Sequence, residues 1–228
     1  MTSRRSLPPV PRWVGNLPSG VPEVKIRICD ETAFGFGWIA SEPKSLQRAS
    51  HALVADERVW LVDPVAGPGI EERIRALGEP AGVLQLLDRH ARDCAVLAKR
   101  LGVPRLRLPF GGVPGSPFEL RRVLSIPGWR ELALWWEAER VLVCVEALGT
   151  VSYFRAPDEP LGVHPFLRLY QPRGLRDMAK CLAPRHVLVG HGEGIHGDAA
   201  AAALAKAVGR ARRTTPAWLR NQLRRRRR

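Results

Sequence analysis

Val83-Leu84-Gln85-Leu86-Leu87-Asp88-Arg89-His90-Ala91-Arg92-Asp93-Cys94-Ala95-Val96-Leu97-Ala98-Lys99-Arg100-Leu101 joins three local patterns without a break. The apolar run at 83–87 reads as a buried strand, and 92–101 carries apolar residues at helical spacing. At their junction, Arg89–Cys94 is a polar turn holding a histidine, an aspartate, a cysteine and two arginines. Enzymes often mount metal ligands on a turn between a strand and a helix, because side chains at strand ends converge on a rigid base.

Outward from this segment, strands dominate before it and elements mix after it. Val24–Cys29 alternates with period two, as a half-buried strand should. Phe34–Ala40 and His51–Ala55 read as further strands. Val59-Trp60-Leu61-Val62 is a short apolar strand that stops at Asp63-Pro64, and Ala55–Arg58 is a tight connection that makes the last two a hairpin. Ile70–Leu77 has helical spacing. Beyond the turn come strands at Arg105–Leu108, Glu119–Leu124, Glu131–Trp136 and Val141–Val145. The chain closes with a helix at Leu175–Cys181, a strand at His186–Val189 and a helix at Ala199–Ala211 capped by Asp198. This order does not suit a doubly wound sheet. It suits two sheets packed face to face with helices outside.

The chain has 228 residues and is 45% hydrophobic, enough for one sizeable core. We expect a single domain over 23–213, after a flexible proline-rich lead-in at 1–22 and before a disordered basic tail at 214–228. The net charge of +14 is concentrated at the end, in Arg210, Arg212, Arg213, Arg220 and Arg224–Arg228. The run Arg220–Arg228 would contact nucleic acid or an anionic surface weakly and in a salt-dependent way. No interleaved aromatic platform supports a specific nucleic-acid site. No apolar run is long enough to span a bilayer. The twin arginines at Arg4-Arg5 lack an apolar segment behind them, and Cys29, Cys94, Cys144 and Cys181 are scattered, so a cytoplasmic chain with free thiols is expected.

Taken in order, several segments resemble the metallo-β-lactamase superfamily. Arg89–Cys94 stands where that family has His-x-His-x-Asp-His. Trp60–Pro64 resembles its strand closing on an aspartate, and Ile126-Pro127-Gly128-Trp129 resembles its Pro-Gly-His loop. Arg140–Leu148 resembles the strand ending in Gly-Asp-Ala-Leu, and His186–Gly192 resembles the final Gly-His-Gly turn. The resemblance covers 24–211. It implies an α/β (α+β) fold, a four-layer αββα sandwich of two mixed β-sheets flanked by helices.

In that family one zinc sits among three histidines and a second among an aspartate and two histidines, with a bridging aspartate. The metals lower the pKa of a bound water and polarise the substrate. At the first set this chain has Arg89, Ala91 and Trp129, none of which offers zinc a lone pair. The usual dinuclear site is therefore expected to be absent. The second set offers Asp93, Cys94 and His191, with Glu146 at the bridging position. All four are legitimate donors, so one zinc or a similar divalent ion is the alternative to no cofactor. On the plainer reading, Asp93 caps the helix, Cys94 is a small buried residue and His191 is a hydrogen-bonded turn residue.

Arg89 either pairs with Glu146 or Asp93 or stays in solvent, and Arg92 is expected to face solvent; the alternative is that Arg89 and Arg92 hold an anionic ligand. His90 falls between ligand positions and should point away, toward the surface or behind the ligands. Asp63 and His196 are further pocket candidates, with a helix-start role the plainer account of His196. Two functions follow from these readings. One is a relative of the metallo-hydrolases that has lost most zinc ligands and is non-catalytic or binds a small ligand. The other is a divergent mononuclear-metal hydrolase acting on an ester, thioester or lactone-type bond.

Overall fold

A computed structural model describes residues 24–41 and 46–226, so the expected lead-in at 1–22 lies outside the described residues. Strands β1 (Lys25–Thr32), β2 (Gly35–Ser41), β3 (Arg48–Ala55), β4 (Arg58–Val62), β5 (Glu79–Gln85) and β6 (Arg105–Arg107) form one sheet in chain order. The first four pair antiparallel through short turns. The last three run parallel, because helices α1 (Ile70–Leu77) and α2 (Cys94–Leu101) occupy the crossovers. The second sheet comprises β7 (Glu119–Ile126), β8 (Trp129–Trp136), β9 (Val141–Cys144), β12 (His186–Val189) and β13 (Ile195–His196), in the order β13-β12-β9-β8-β7. Only β9 and β12 pair in parallel there. A small pair, β10 (Leu148–Gly149) with β11 (Gly162–Val163), lies in the crossover between them.

Alternation along β4 shows how the layers assemble. Val59 and Leu61 pack with Ile70 and Ile74 of α1 and with Cys94, Ala98 and Leu101 of α2. Trp60 and Val62 face the other way, into a core shared with Leu134 and Val143 of the second sheet. Helices α3 (Arg173–Cys181) and α4 (Ala199–Arg226) cover that sheet with Leu175, Met178, Ala203, Leu204 and Val208. The result is the four-layer αββα sandwich expected from the sequence.

The two sheets are laced together by backbone hydrogen bonds. The Ala49 N–H donates to Gly190 O at 2.8 Å and the Gly192 N–H to Gln47 O at 3.0 Å. A second lace joins Leu132 N–H to Leu86 O at 2.9 Å and Asp88 N–H to Arg130 O at 3.0 Å. The first brings the turn after β12 against the start of β3. The second brings the turn after β5 against β8.

Helix α4 departs from expectation. It does not stop at Ala211 but runs on through Pro216 to Arg226, so 214–226 is helix rather than a disordered tail. Tertiary hydrogen bonds hold the second half. Trp218 Nε1 donates to Tyr153 O at 2.8 Å and Gln222 Nε2 to Ser152 O at 2.7 Å. The buried Arg168 guanidinium donates to Ala211 O at 3.3 Å and Thr214 Oγ1 at 3.0 Å.

Candidate metal centre

Strand β4 ends on Asp63, which is fully buried and has a left-handed backbone (φ 43). Aspartate tolerates that conformation better than most residues. Its Oδ1 accepts from the Leu86 N–H at 2.9 Å, and its Oδ2 accepts from His90 Nδ1 at 2.8 Å. This second bond orients the His90 ring. On the opposite side, His191 lies between Gly190 and Gly192. A Cβ on Gly190 would sit 2.1 Å from Val145 O, and one on Gly192 (φ +95) would sit 2.2 Å from Thr150 Oγ1. Only glycines let this turn lie so close to the chain leaving β9. His191 Nδ1 donates to Leu46 O at 3.1 Å, and its ring stacks on Phe154 at a centroid distance of 5.5 Å.

Glu146 follows β9 and is fixed through its backbone. Its N–H donates to Oε1 of the fully buried Glu131 at 2.9 Å, and the Ala147 N–H does so at 3.0 Å. Trp129 Nε1 donates to the other Glu131 oxygen at 3.0 Å. Burial pushes the Glu131 carboxyl upward, against the pull of these donors.

Three imidazoles converge on the Glu146 carboxylate. Oε2 lies 3.1 Å from His90 Nε2 and 3.0 Å from His191 Nε2. Oε1 lies 3.4 Å from His164 Nε2. One ligand atom each of His90, Glu146 and His191 falls within 4.8 Å of the others. Burial alone would raise Glu146, but the imidazoles of His191 and His90 outweigh it and hold the carboxyl well below the usual range. Burial also pushes His164 down, to about 4, so it is neutral at pH 7. Its Nδ1 accepts from the Phe166 N–H at 3.3 Å, which leaves its proton on Nε2, facing Glu146.

His90 and His191 are different. Each commits its Nδ1 proton to an oxygen that can only accept: the Asp63 carboxylate and the Leu46 carbonyl. In the neutral ring, Nε2 is then a bare lone pair aimed at a carboxylate. Two such lone pairs beside one carboxylate require positive charge between them, either imidazolium protons or a cation. Carboxylate and carbonyl partners on the far nitrogen are also what orients histidines that ligate a metal. The donor set fits a divalent ion.

The structure redistributes the residues singled out from the sequence. Of Asp93, Cys94, Glu146 and His191, only the last two meet. Asp93 occupies the N-cap position of α2 but does not cap it; its Oδ2 accepts from the Ala66 N–H at 2.8 Å. Cys94 is buried, its Sγ lies 3.6 Å from His90 O, and burial pushes the thiol up to about 12, so it is not a thiolate at neutral pH. His90 does not point away; it enters the cluster. Arg92 does not face solvent. Its guanidinium donates to Asp63 O at 2.8 Å, to Gly190 O at 3.0 Å and to Ala49 O. Arg89 is half-exposed, with its Cζ 4.7 Å over Trp129 and Nη2 3.9 Å from Glu146 Oε1. Ala91 is exposed and offers only its carbonyl, which accepts from the Cys94 N–H at 3.0 Å. His196 is engaged by Asp30 at 2.9 Å and His186 at 2.8 Å. Glu131 and His164 were not singled out at all; neither lies in a motif that would mark it.

No protein-family model matches the chain, and no curated protein is similar to it in sequence. Solved structures are similar in shape. The crystal structure of DIM-1 metallo-beta-lactamase is 12% identical, with a TM-score of 0.53 over 86% of this chain and 99% of that one. The same enzyme exposed to ceftazidime is 13% identical, with a TM-score of 0.50 over 85% of this chain and 100% of that one. The chain has the metallo-β-lactamase fold. On this metallo-β-lactamase fold the ligand set is degenerate: His90, Glu146 and His191 converge, while Arg89, Ala91 and Trp129 supply no donors.

Proposed function

We propose that the chain binds a single divalent cation and acts as a mononuclear hydrolase on an ester, thioester or lactone-type bond. One observation carries this reading: two imidazole Nε2 atoms and a carboxylate oxygen meet while both Nδ1 atoms are committed to oxygen acceptors. Two histidines and a carboxylate form a donor set that zinc and other divalent ions accept. The positive guanidinium of Arg89, 3.9 Å from Glu146, disfavours a second cation beside the first.

When bound, such an ion supplies Lewis acidity and lowers the pKa of a coordinated water. The remaining work belongs to this chain's side chains. Asp63 and the Leu46 carbonyl hold the two imidazoles in one tautomer and orientation. His164, through its Nε2–H, steadies Glu146 Oε1 and leaves Oε2 toward His90 and His191. Glu131 fixes the backbone of Glu146. Phe154 shields one face of His191 from water.

A second reading has its own support. Glu146 already gathers three imidazoles, so the cluster can satisfy itself with protons as a non-catalytic ligand site. Metal-free protein given one equivalent of Zn²⁺ and assayed with 4-nitrophenyl acetate and a γ-thiolactone separates the two. The hydrolase reading expects turnover that depends on the ion and falls by about 100-fold or more in His90→Ala and His191→Ala. Ion uptake without turnover of either ester would favour the ligand-binding reading. No ion uptake would overturn the metal assignment.

A further inference from the structure

The geometry points to Arg89 and Phe166 as the two ends of a recognition surface for a small molecule bearing one carboxylate and an apolar body. This names a ligand class for the centre described above and rests on that centre being the reactive one.

The surface is a row of ring contacts beside Glu146. The Arg89 guanidinium lies 4.7 Å over the Trp129 ring. Trp129 meets His164 edge to face at 4.7 Å, and His164 lies against Phe166 at 5.5 Å. The middle of the row is buried and its ends are open. Trp129 and His164 are each 5% exposed, whereas the Arg89 side chain is 48% exposed and Phe166 is 79% exposed. The same row touches the reactive cluster twice, through His164 Nε2 at 3.4 Å and Arg89 Nη2 at 3.9 Å from Glu146 Oε1.

Arg89 is held but not used up. The guanidinium lies over Trp129, and its contact with Glu146 is longer than a hydrogen bond. Among the described residues, nothing else takes its N–H donors. A planar fork with free parallel N–H groups matches a carboxylate in bidentate geometry. One guanidinium pairs with one carboxylate, so the surface calls for a single anionic group. Phe166 supplies the opposite requirement. A phenylalanine ring this exposed at the end of an aromatic row gains from an apolar partner. A ligand held by Arg89 lies beside Glu146, because Arg89 Nη2 is 3.9 Å from Glu146 Oε1. The substrate class is thus an ester, thioester or lactone that carries a free carboxylate and an apolar group.

Calorimetric titration of the metal-free chain tests this, since a bound ion would itself attract carboxylates. The probes are 4-phenylbutanoate and its neutral analogue 4-phenylbutanamide. The parent should bind the acid roughly tenfold more tightly than the amide. Arg89→Gln should reduce that ratio to about one, and Arg89→Lys should leave it between the two values. Phe166→Ser should weaken both probes by a similar factor and leave the ratio unchanged. No binding of the acid by the parent, no preference for it, or a preference that survives Arg89→Gln overturns the inference. Zn²⁺ uptake, measured separately, keeps the two proposals apart. Arg89→Gln should still take up an ion, since it keeps His90, Glu146 and His191. Loss of uptake only in the histidine variants supports the centre whatever the probes show.

Discussion

Asp63 is the residue that orients His90 in the centre. One carboxylate oxygen orients His90 and the other satisfies the buried N–H of Leu86. Replacing Asp63 with alanine should lower Co²⁺ affinity by about 10- to 100-fold, as loss of a partner behind a metal ligand does. It should also cost about 1–3 kcal/mol of stability in urea unfolding, because the Leu86 N–H loses its acceptor. A second carboxylate gives a pH prediction. Burial raises the Asp30 carboxyl, but hydrogen bonds from His196 and Gly194, with His51 nearby, more than reverse this and hold it below its ordinary value of 3.8. A folded-state pKa below the unfolded one stabilises the fold above about pH 4, and the gain disappears as pH falls through the folded value. The drop in urea midpoint between pH 6 and pH 3 should therefore be smaller in Asp30→Asn than in the parent. At this scale the sequence was informative about residue types and poor on direction. His191 and Glu146 were legible because they end strands that resemble a known pattern. His90 was not, because Asp63 and Arg92 both adopt left-handed backbone (φ 43 and φ 37) around the turn, and no periodicity signals such kinks. Asp93 was read as a ligand or a cap; its side chain does not cap α2, since the loop after β4 reaches it with the Ala66 N–H.

Helix α4 links the basic end of the chain to the site. Its second half holds Tyr153 and Ser152 by their carbonyls, and the next residue in that loop, Phe154, stacks on His191. Trp218→Ala should cost about 1–3 kcal/mol. It should also speed amide hydrogen exchange across 150–156 while exchange in β5 stays slow; equal change in both would argue against local docking. The first half of α4 was legible from its alanine-rich run. The second half was not, because an arginine run reads as a disordered tail, and the hydrogen bonds that override it come from residues far away in sequence. The other elements fared better. Alternation gave β1, and short apolar runs gave β4 and β9, to within a few residues, whereas the two-residue strands β10, β11 and β13 carry no such pattern.

At the scale of the molecule, the layers follow from which faces are apolar, and that information is local. How the sheets lock is not local. The two backbone laces, from Gln47 and Ala49 to the turn at 190–192 and from Leu86 and Asp88 to β8, leave no mark in side-chain patterning. Arg92 reinforces the first lace by donating to carbonyls of Ala49, Asp63 and Gly190. Arg92→Met should therefore destabilise by about 3 kcal/mol or more, because three carbonyls lose a shared donor. Urea unfolding of that variant at neutral pH checks this; a change under about 0.5 kcal/mol would show the lace holding without it. In such a locked frame, His90, Glu146 and His191 come from three separate turns and still meet. Titration of metal-free chain with Co²⁺, followed by its visible absorption, tests that meeting most directly. The account predicts one equivalent per chain, unchanged in Cys94→Ala and lost in both His90→Ala and His191→Ala. Two equivalents, none, or uptake that survives both histidine changes would contradict it.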